Sequence, residues 1–501
     1  MKGHAVERIR GMDASFFYLE TPDQHMHVVG TLILDPSTMP GGYSFDAIRQ
    51  TFAERLHLLP PFRRRPVFVP FGLGHPVWVE DESFDIDQHM HRIGAPSPGT
   101  DRELAEIVGH IASTPLDRSR PLWDLWVVEG LEDGLVALVT KMHHAAIDGT
   151  SGADLMVHLF DLEPEPKRVE PPTEPWTGEH VPSDVELVAG ALLSRLTQPA
   201  KMFRAVRKTA GSVLNVVGQI RSGSEAALPL TGPRTKFSGA QTPHRSVAFG
   251  RTSLDDFKVI KNAFDVKVND VVLAACTQAL RQWLIDHDDL PDKPLVASVP
   301  VSVRTEEQAG EMNNRVSAMF ASLPVQLEDP VDQLMDIHRR MNSAKELHNA
   351  LGADMLQDWA EFFGPAIFTR AMRLYSSMRL ADRHPPIHNL VISNVPGPPI
   401  PLYTSGARVV STYPMGPVLF GAGLNLTVLS NMGNVDFGAI ACTELVPDLW
   451  DIPAAFSDAI TTLHKAAQAK VSQANEARPK PAAKKKKRAA KRKPAAKKAD
   501  A

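Results

Sequence analysis

The segment Lys141-Met142-His143-His144-Ala145-Ala146-Ile147-Asp148-Gly149 constrains this chain more than any other. It closes a mostly apolar run, Leu135 to Met142, that reads as a buried strand, and it precedes helical periodicity from about Thr150 to Leu162. A histidine at such a strand end projects to where a packed core meets a cleft. Neutral imidazole, with an ordinary pKa of about 6.5, suits accepting a proton from a hydroxyl at neutral pH. An alcohol is a poor nucleophile until a base takes that proton. Asp148 is placed to hold the loop, and Gly149 permits a turn that other residues resist. Three other readings stay open at this point. A histidine pair can bind metal, but adjacent histidines diverge and no Cys or Glu stands nearby at ligand spacing, so no metal is expected. The two can be satisfied core residues. A Ser-His-Asp hydrolase would need a nucleophile elbow, and no Gly-x-Ser-x-Gly occurs.

The 501 residues exceed what one core usually holds, which predicts two domains. Hydrophobic content of 43% and charged content of 22% fit a folded soluble protein. Only Cys276 and Cys442 are present, in apolar surroundings, which excludes a disulfide framework and fits a reducing compartment. The opening residues lack the apolar core of a secretory signal. The longest charge-free stretch, Val409 to Val435, is broken by Pro414 and Pro417 and by glycines, so no spanning helix is expected. The net charge of −4 conceals an asymmetry: from Arg478 to Asp500 twelve Lys/Arg face one Asp, leaving 42 basic and 57 acidic side chains on the rest.

Residues 1–165 read as a first domain, with a strand at His27–Leu34, a helix at Phe45–Leu58 capped by Ser44, a helix at Leu104–Ser113, and strands at Trp123–Val128 and Leu135–Met142. Residues 166–245 read as a linker, rich in prolines and acids to Pro182 and then helical with a basic second half. A second domain is expected over 246–475. Its helices are Leu254–Ala263, Val268–Asp286, others between Pro330 and Leu380, and Ile452–Ala474; its strands are Leu295–Val303, Leu390–Asn394, Val409–Tyr413, Leu424–Ser430 and Val435–Cys442. Residues 476–501, dominated by Lys, Ala and Pro, are expected to be disordered.

The His-His-x-x-x-Asp-Gly run matches a motif of coenzyme A-dependent acyltransferases, also found in peptide-synthetase condensation domains and plant acyltransferases. Further segments occur in the order seen in one family: Met12-Asp13-Ala14-Ser15-Phe16, His25-Met26-His27-Val28, Pro121-Leu122-Trp123, Asn269-Asp270-Val271-Val272-Leu273-Ala274, Pro300-Val301-Ser302-Val303-Arg304, Asn314-Arg315-Val316-Ser317 and Ser393-Asn394-Val395-Pro396-Gly397-Pro398. Together they span residues 11 to about 470 and resemble the bacterial wax ester synthase/diacylglycerol acyltransferase family. The basic tail is outside that pattern.

The resemblance implies an α/β fold of mixed sheets, in which two acyltransferase-like domains form a cleft or channel. It implies transfer of a long-chain acyl group from acyl-CoA to diacylglycerol or a long-chain alcohol, with acyl-CoA as co-substrate and no cofactor. His144 would be the general base, His143 its support, Asp148 a structural residue held through an arginine, and Gly149 the turn. Arg304, at a strand end, is the candidate partner of Asp148. Asn269 and Asp270 match a pair at a helix start, supporting the site or an oxyanion or simply capping the helix. Trp123 either shapes the acyl pocket or belongs to the core. Other function classes stay open: a condensation-type enzyme using carrier-bound acyl groups, and a non-enzymatic lipid-binding or droplet protein. The expected location is cytoplasmic, or peripheral on the inner membrane face or lipid droplets. The basic stretch Arg195–Arg221 either lies on an anionic interface or packs as a linker helix. The tail would bind phospholipid headgroups, contact nucleic acid, or keep the chain soluble.

Overall fold

In the computed structural model the described residues are 7–9, 11–147, 158–172, 176, 178–195, 227–302, 316–351 and 365–476. In chain order the strands are β1 (Glu7–Arg8), β2 (His27–Asp35), β3 (Arg64–Val67), β4 (Val77–Glu80), β5 (Met90–Gly94), β6 (Trp123–Glu129), β7 (Val136–His143), β8 (Arg245–Ser253), β9 (Leu295–Ser302), β10 (Val316–Leu323), β11 (Leu390–Val395), β12 (Tyr403–Thr404), β13 (Ala407–Met415), β14 (Leu424–Asn431) and β15 (Asn434–Cys442). The longer helices are α1 (Gly11–Leu19), α2 (Phe45–Arg55), α3 (Asp101–Ser113), α4 (Asp184–Arg195), α5 (Leu254–Phe264), α6 (Val268–Asp286), α7 (Pro330–Leu351), α8 (Pro365–Ser377) and α9 (Asp451–Glu476).

Local chemistry explains many of the boundaries. The Ser44 hydroxyl accepts from the Ala47 N–H and starts α2. Thr100 and Glu103 form a reciprocal capping box that starts α3, one turn before the helix was expected from its apolar residues. Asp265, in the left-handed region at φ 59°, ends α5.

Two six-stranded sheets organise the described residues, as the α/β expectation required. The first has the order β12-β13-β2-β7-β6-β5, the second β10-β9-β11-β14-β15-β8. The strand Ala407–Met415, read above within a second domain spanning 246–475, pairs antiparallel with β2 and completes the first sheet. The segment 403–415 therefore crosses from one sheet to the other. Thr412 N–H donates to Asp436 of β15 at 2.8 Å, and the tight approach of Gly438 to the Pro414 carbonyl leaves no room for a Cβ.

The sheets also share a core. Helix α3 packs Leu104, Val108 and Ile111 against Val29, Val128 and Val139 of the first sheet and Val247 and Phe249 of β8. The other face of the first sheet is covered by α2 and the turns around Leu56–Phe62. Strand β7 is consequently buried on both faces, which is why its sequence is nearly continuously apolar rather than alternating. The second sheet packs α5, α6, α7 and α9 on its far face.

Candidate active site

The site grows from the end of β7. Its last residue, His143, pairs across the sheet with His27 of β2. Beyond it the backbone turns, and two hydrogen bonds fix the turn: His143 N–H donates to the Leu122 carbonyl at 3.0 Å, and His144 N–H to the Met26 carbonyl at 2.8 Å. Ala145 and Ala146 then bury against Ile9, Ala14, Phe17 and Tyr18 of the N-terminal segment. Consecutive aromatics of α1 stack on consecutive histidines. Phe16 lies on His144 with centroids 4.1 Å apart, and Phe17 on His143 at 4.5 Å. Four segments that the motif reading treated separately thus converge on His143 and His144: Met12–Phe16, His25–Val28, Pro121–Trp123 and the histidine run itself.

The two imidazoles are held differently. His143 is sealed, and both ring nitrogens are engaged: Nδ1 accepts from Ala145 N–H at 3.1 Å, so Nε2 carries the proton and donates to Glu20 at 3.1 Å. His144 is half-buried, and its Nδ1 is covered yet has no hydrogen-bond partner among the described residues. Burial, helped by the nearby His143, pushes the His144 imidazole down to about 4, so it is neutral at pH 7. Burial also lowers His143, and Glu20 partly offsets the effect.

Glu20 is the residue that sequence reasoning missed. Burial alone would raise its carboxyl, but His143, His27 and Arg118 together hold it well below the usual carboxylate range. Arg118 forms an ion pair with it and stands over the Phe17 ring. The available signal was an acid ending the apolar run Phe16-Phe17-Tyr18-Leu19, a position where a carboxylate needs a partner. A second buried polar group lies beside it: Lys141 donates to the Ile111 and Thr114 carbonyls at the C-terminal end of α3, and burial pushes its ammonium down to about 8.

Glu20, His25 and His27 bring ligand atoms within 4.8 Å of one another. The His25 and His27 rings stack almost parallel at 5.2 Å, which aims their in-plane lone pairs side by side rather than at one point. Glu20 is already committed to His143 and Arg118. This geometry suits a stacked polar cluster rather than a cation site.

Of the remaining expected residues, Trp123 is a core residue. It is buried, its indole N–H donates to the Phe62 carbonyl at 2.9 Å, and its ring stacks on His89. Its Pro-Leu-Trp segment serves the site through the Leu122 carbonyl. Asp270 caps α6, accepting from Lys267 N–H at 3.0 Å and from His338 at 2.7 Å. Asn269 accepts from the Asn394 amide at 3.4 Å, which joins the Asn-Asp pair to the Ser393–Pro398 segment. Asp148, Gly149 and Arg304 lie outside the described residues, as do most of the helix expected from Thr150, the basic stretch after Arg195 and the tail.

Comparison with known proteins accords with this arrangement. The sequence model of the wax ester synthase/diacylglycerol acyltransferase catalytic domain matches residues 9–272, and that of the family's C-terminal domain matches residues 312–464. A Mycobacterium tuberculosis protein named as a diacylglycerol O-acyltransferase is 39% identical over 461 residues, covering 92% of this chain and 90% of its own. A second from the same species is 36% identical, covering 91% and 98%. The solved wax ester synthase/diacylglycerol acyltransferase from Marinobacter aquaeolei superposes with a TM-score of 0.65 at 28% identity, covering 92% of this chain and all of that one. The first condensation domain of the calcium-dependent antibiotic synthetase shares the fold, with a TM-score of 0.53 at 16% identity, covering 93% and 96%. With both of the family's domains matched and relatives above 30% identity over nine-tenths of its length, the chain belongs to the wax ester synthase/diacylglycerol acyltransferase family and is an acyltransferase.

Proposed function

We propose that this acyltransferase moves a long-chain acyl group from acyl-CoA to diacylglycerol, and also to long-chain alcohols, with His144 as general base. The observation that carries the reading is the contrast within the histidine pair. His143 has both ring nitrogens in use, whereas His144 is neutral, pinned by its backbone and by Phe16, and keeps Nδ1 unpartnered among the described residues. The acceptors are supported by the family's name and by relatives named as diacylglycerol O-acyltransferases, and acyl-CoA as donor by the resemblance of the histidine run to that of coenzyme A-dependent acyltransferases.

In this mechanism His144 takes the acceptor's hydroxyl proton as the oxygen bonds to the thioester carbonyl carbon. The carbon–sulfur bond then breaks, and the proton passes from His144 to the departing CoA thiolate. The oxyanion formed in between needs fixed donors. His143 and Glu20 position the turn rather than react. Asp148 and Gly149 would shape the same turn, with Arg304 as the partner of Asp148. The thioester supplies the driving force, so no cofactor enters.

The test is purified protein assayed with palmitoyl-CoA against dipalmitoylglycerol and hexadecanol, with a palmitoylated carrier protein as rival donor. Triacylglycerol and wax ester should form from palmitoyl-CoA, and His144→Ala should reduce the rate about 10²–10⁴-fold. Transfer from the carrier alone, or an undiminished His144→Ala enzyme, would overturn the reading.

A further inference from the structure

Among the described residues, several of the most exposed large apolar side chains fall in one region, and backbone contacts tie that region together. Phe71 is 85% exposed, Ile367 72% and Leu374 57%, with Phe68, Leu192 and Met378 also substantially exposed. Gly72 lies so close to Ala366 at the start of α8 that a Cβ would meet it at 2.9 Å, and Gly74 approaches Ala191 of α4 equally closely. The segment from Pro70 to Gly74 therefore touches both helices, with Phe71 next in the chain to the Gly72–Ala366 contact and Leu192 next to the Gly74–Ala191 contact. Phe71 itself sits at φ 59°, a left-handed conformation that a bulky residue rarely adopts, and it holds its ring toward solvent. Exposed apolar clusters of this kind mark interaction sites in soluble proteins.

The charge on this face has one sign where it is most apolar. Helix α8 carries Arg370 and Arg373 and no acid, and Arg379, Arg383 and Asp382 follow it. Arg370 and Arg373 are exposed, and neither is in an ion pair among the described residues. Ile367 and Leu374 lie two turns apart on one stripe of the helix, Met378 follows just past its end, and Arg370 flanks the stripe. A helix with an exposed apolar stripe flanked by exposed arginines matches the interface of an anionic lipid surface, where the apolar side chains embed and long arginine side chains reach phosphates.

The face is also continuous with the active site. Helix α8 packs on α1, with Phe368 against Tyr18. Phe16 of the same α1 stacks on His144. One helix layer separates the exposed apolar face from the base.

We propose that the face formed by the turn Pro70–Gly72, the end of α4 and helix α8 docks on an anionic lipid surface and sets α1 and His144 toward it. The proposal deepens the acyl-transfer reading by naming where a membrane-dissolved acceptor is met, but binding is measured without catalysis, so either can fail alone. The full chain is floated with phosphatidylcholine vesicles and with phosphatidylcholine–phosphatidylglycerol vesicles, at low salt and at salt high enough to screen the basic tail. Wild type should bind both, and the anionic vesicles more strongly. I367E/L374E should lose about tenfold or more on both vesicle types and at both salts. R370E/R373E should weaken binding to the anionic vesicles at low salt and leave binding to phosphatidylcholine vesicles unchanged. Each variant should keep wild-type transfer to a water-soluble short-chain alcohol and a wild-type circular dichroism spectrum. Should I367E/L374E not fold, Phe71→Ser provides the same readout from the turn. Undiminished vesicle binding by the patch variants would overturn the proposal. So would a wild-type dimer that I367E/L374E splits while vesicles capture neither form, since the face would then be a contact between two copies of this chain.

Discussion

The end of β7 and the start of α6 both place polar side chains in largely apolar surroundings, but they settle the cost differently. At the start of α6 every polar group described has a structural partner: Asp270 serves Lys267 N–H and His338, and Asn269 meets Asn394. At the end of β7 partners are drawn from α1, the strand entrance at Met26 and the Pro-Leu-Trp segment, and all of them are spent on His143 and the backbone. Within the histidine pair, His144 is the one with a ring nitrogen that lacks a hydrogen-bond partner among the described residues, and His25 Nδ1 and His27 Nδ1 nearby lack one too. A buried polar group without a partner costs stability, so the end of β7 carries a cost that the start of α6 does not.

The sharpest way to break this contrast is to compare His144→Gln with Asn269→Ala. The first should lower kcat about 10²–10⁴-fold with little change in melting temperature, the second less than about tenfold. Equal losses in kcat would show that the α6 start acts in the chemistry too. Next in size is Glu20→Ala, which leaves His143 and Arg118 facing a buried gap and should cost about 3 kcal/mol in urea unfolding. A loss below about 1 kcal/mol would mean that Glu20 holds nothing in place. Asp270→Ala removes a cap and the His338 acceptor and should cost about 1–2 kcal/mol while leaving kcat/KM nearly unchanged.

The smallest effect is read against pH. With His144 held down to about 4, kcat/KM should stay flat from pH 7 to about 5, with its acid limb near 4; a limb at about 6.5 would show an imidazole exposed to water. Stability follows the same sense. Above about 6.5 His144 is neutral in both the folded and unfolded chain and pH has no effect through it. Below that the unfolded chain binds the proton more readily, so stability falls as pH drops from about 6.5 toward 4. Glu20, depressed when folded, adds a loss of the same sign once the pH passes below its ordinary value of 4.5.

Much of the fold was legible in the residues. Helix α6 keeps its expected limits, and β2, β6, β7, β11, β14 and β15 stand within a residue or two of theirs, because each carries its own apolar run or alternation. Strands β8 and β10 were missed. Arg245–Ser253 is interrupted by Gly250 and Arg251, and Val316–Leu323 mixes small and polar residues with apolar ones, so neither shows a clean period. Of the site, the histidine pair was legible and its partner Glu20 was not.

What the sequence determined by itself is local: a strand that ends in two histidines, a capped helix that starts with Asn-Asp, and an order of motifs that names a family. Only the tertiary structure decided that β13 completes the first sheet, that Glu20 meets a histidine 123 positions away, and that the Pro70–Gly72 turn shares a face with α8. Periodicity and capping act over a few residues and are written in neighbouring side chains. Pairing across a hundred residues is chosen by which packing satisfies the most buried groups at once, and no single segment carries that information.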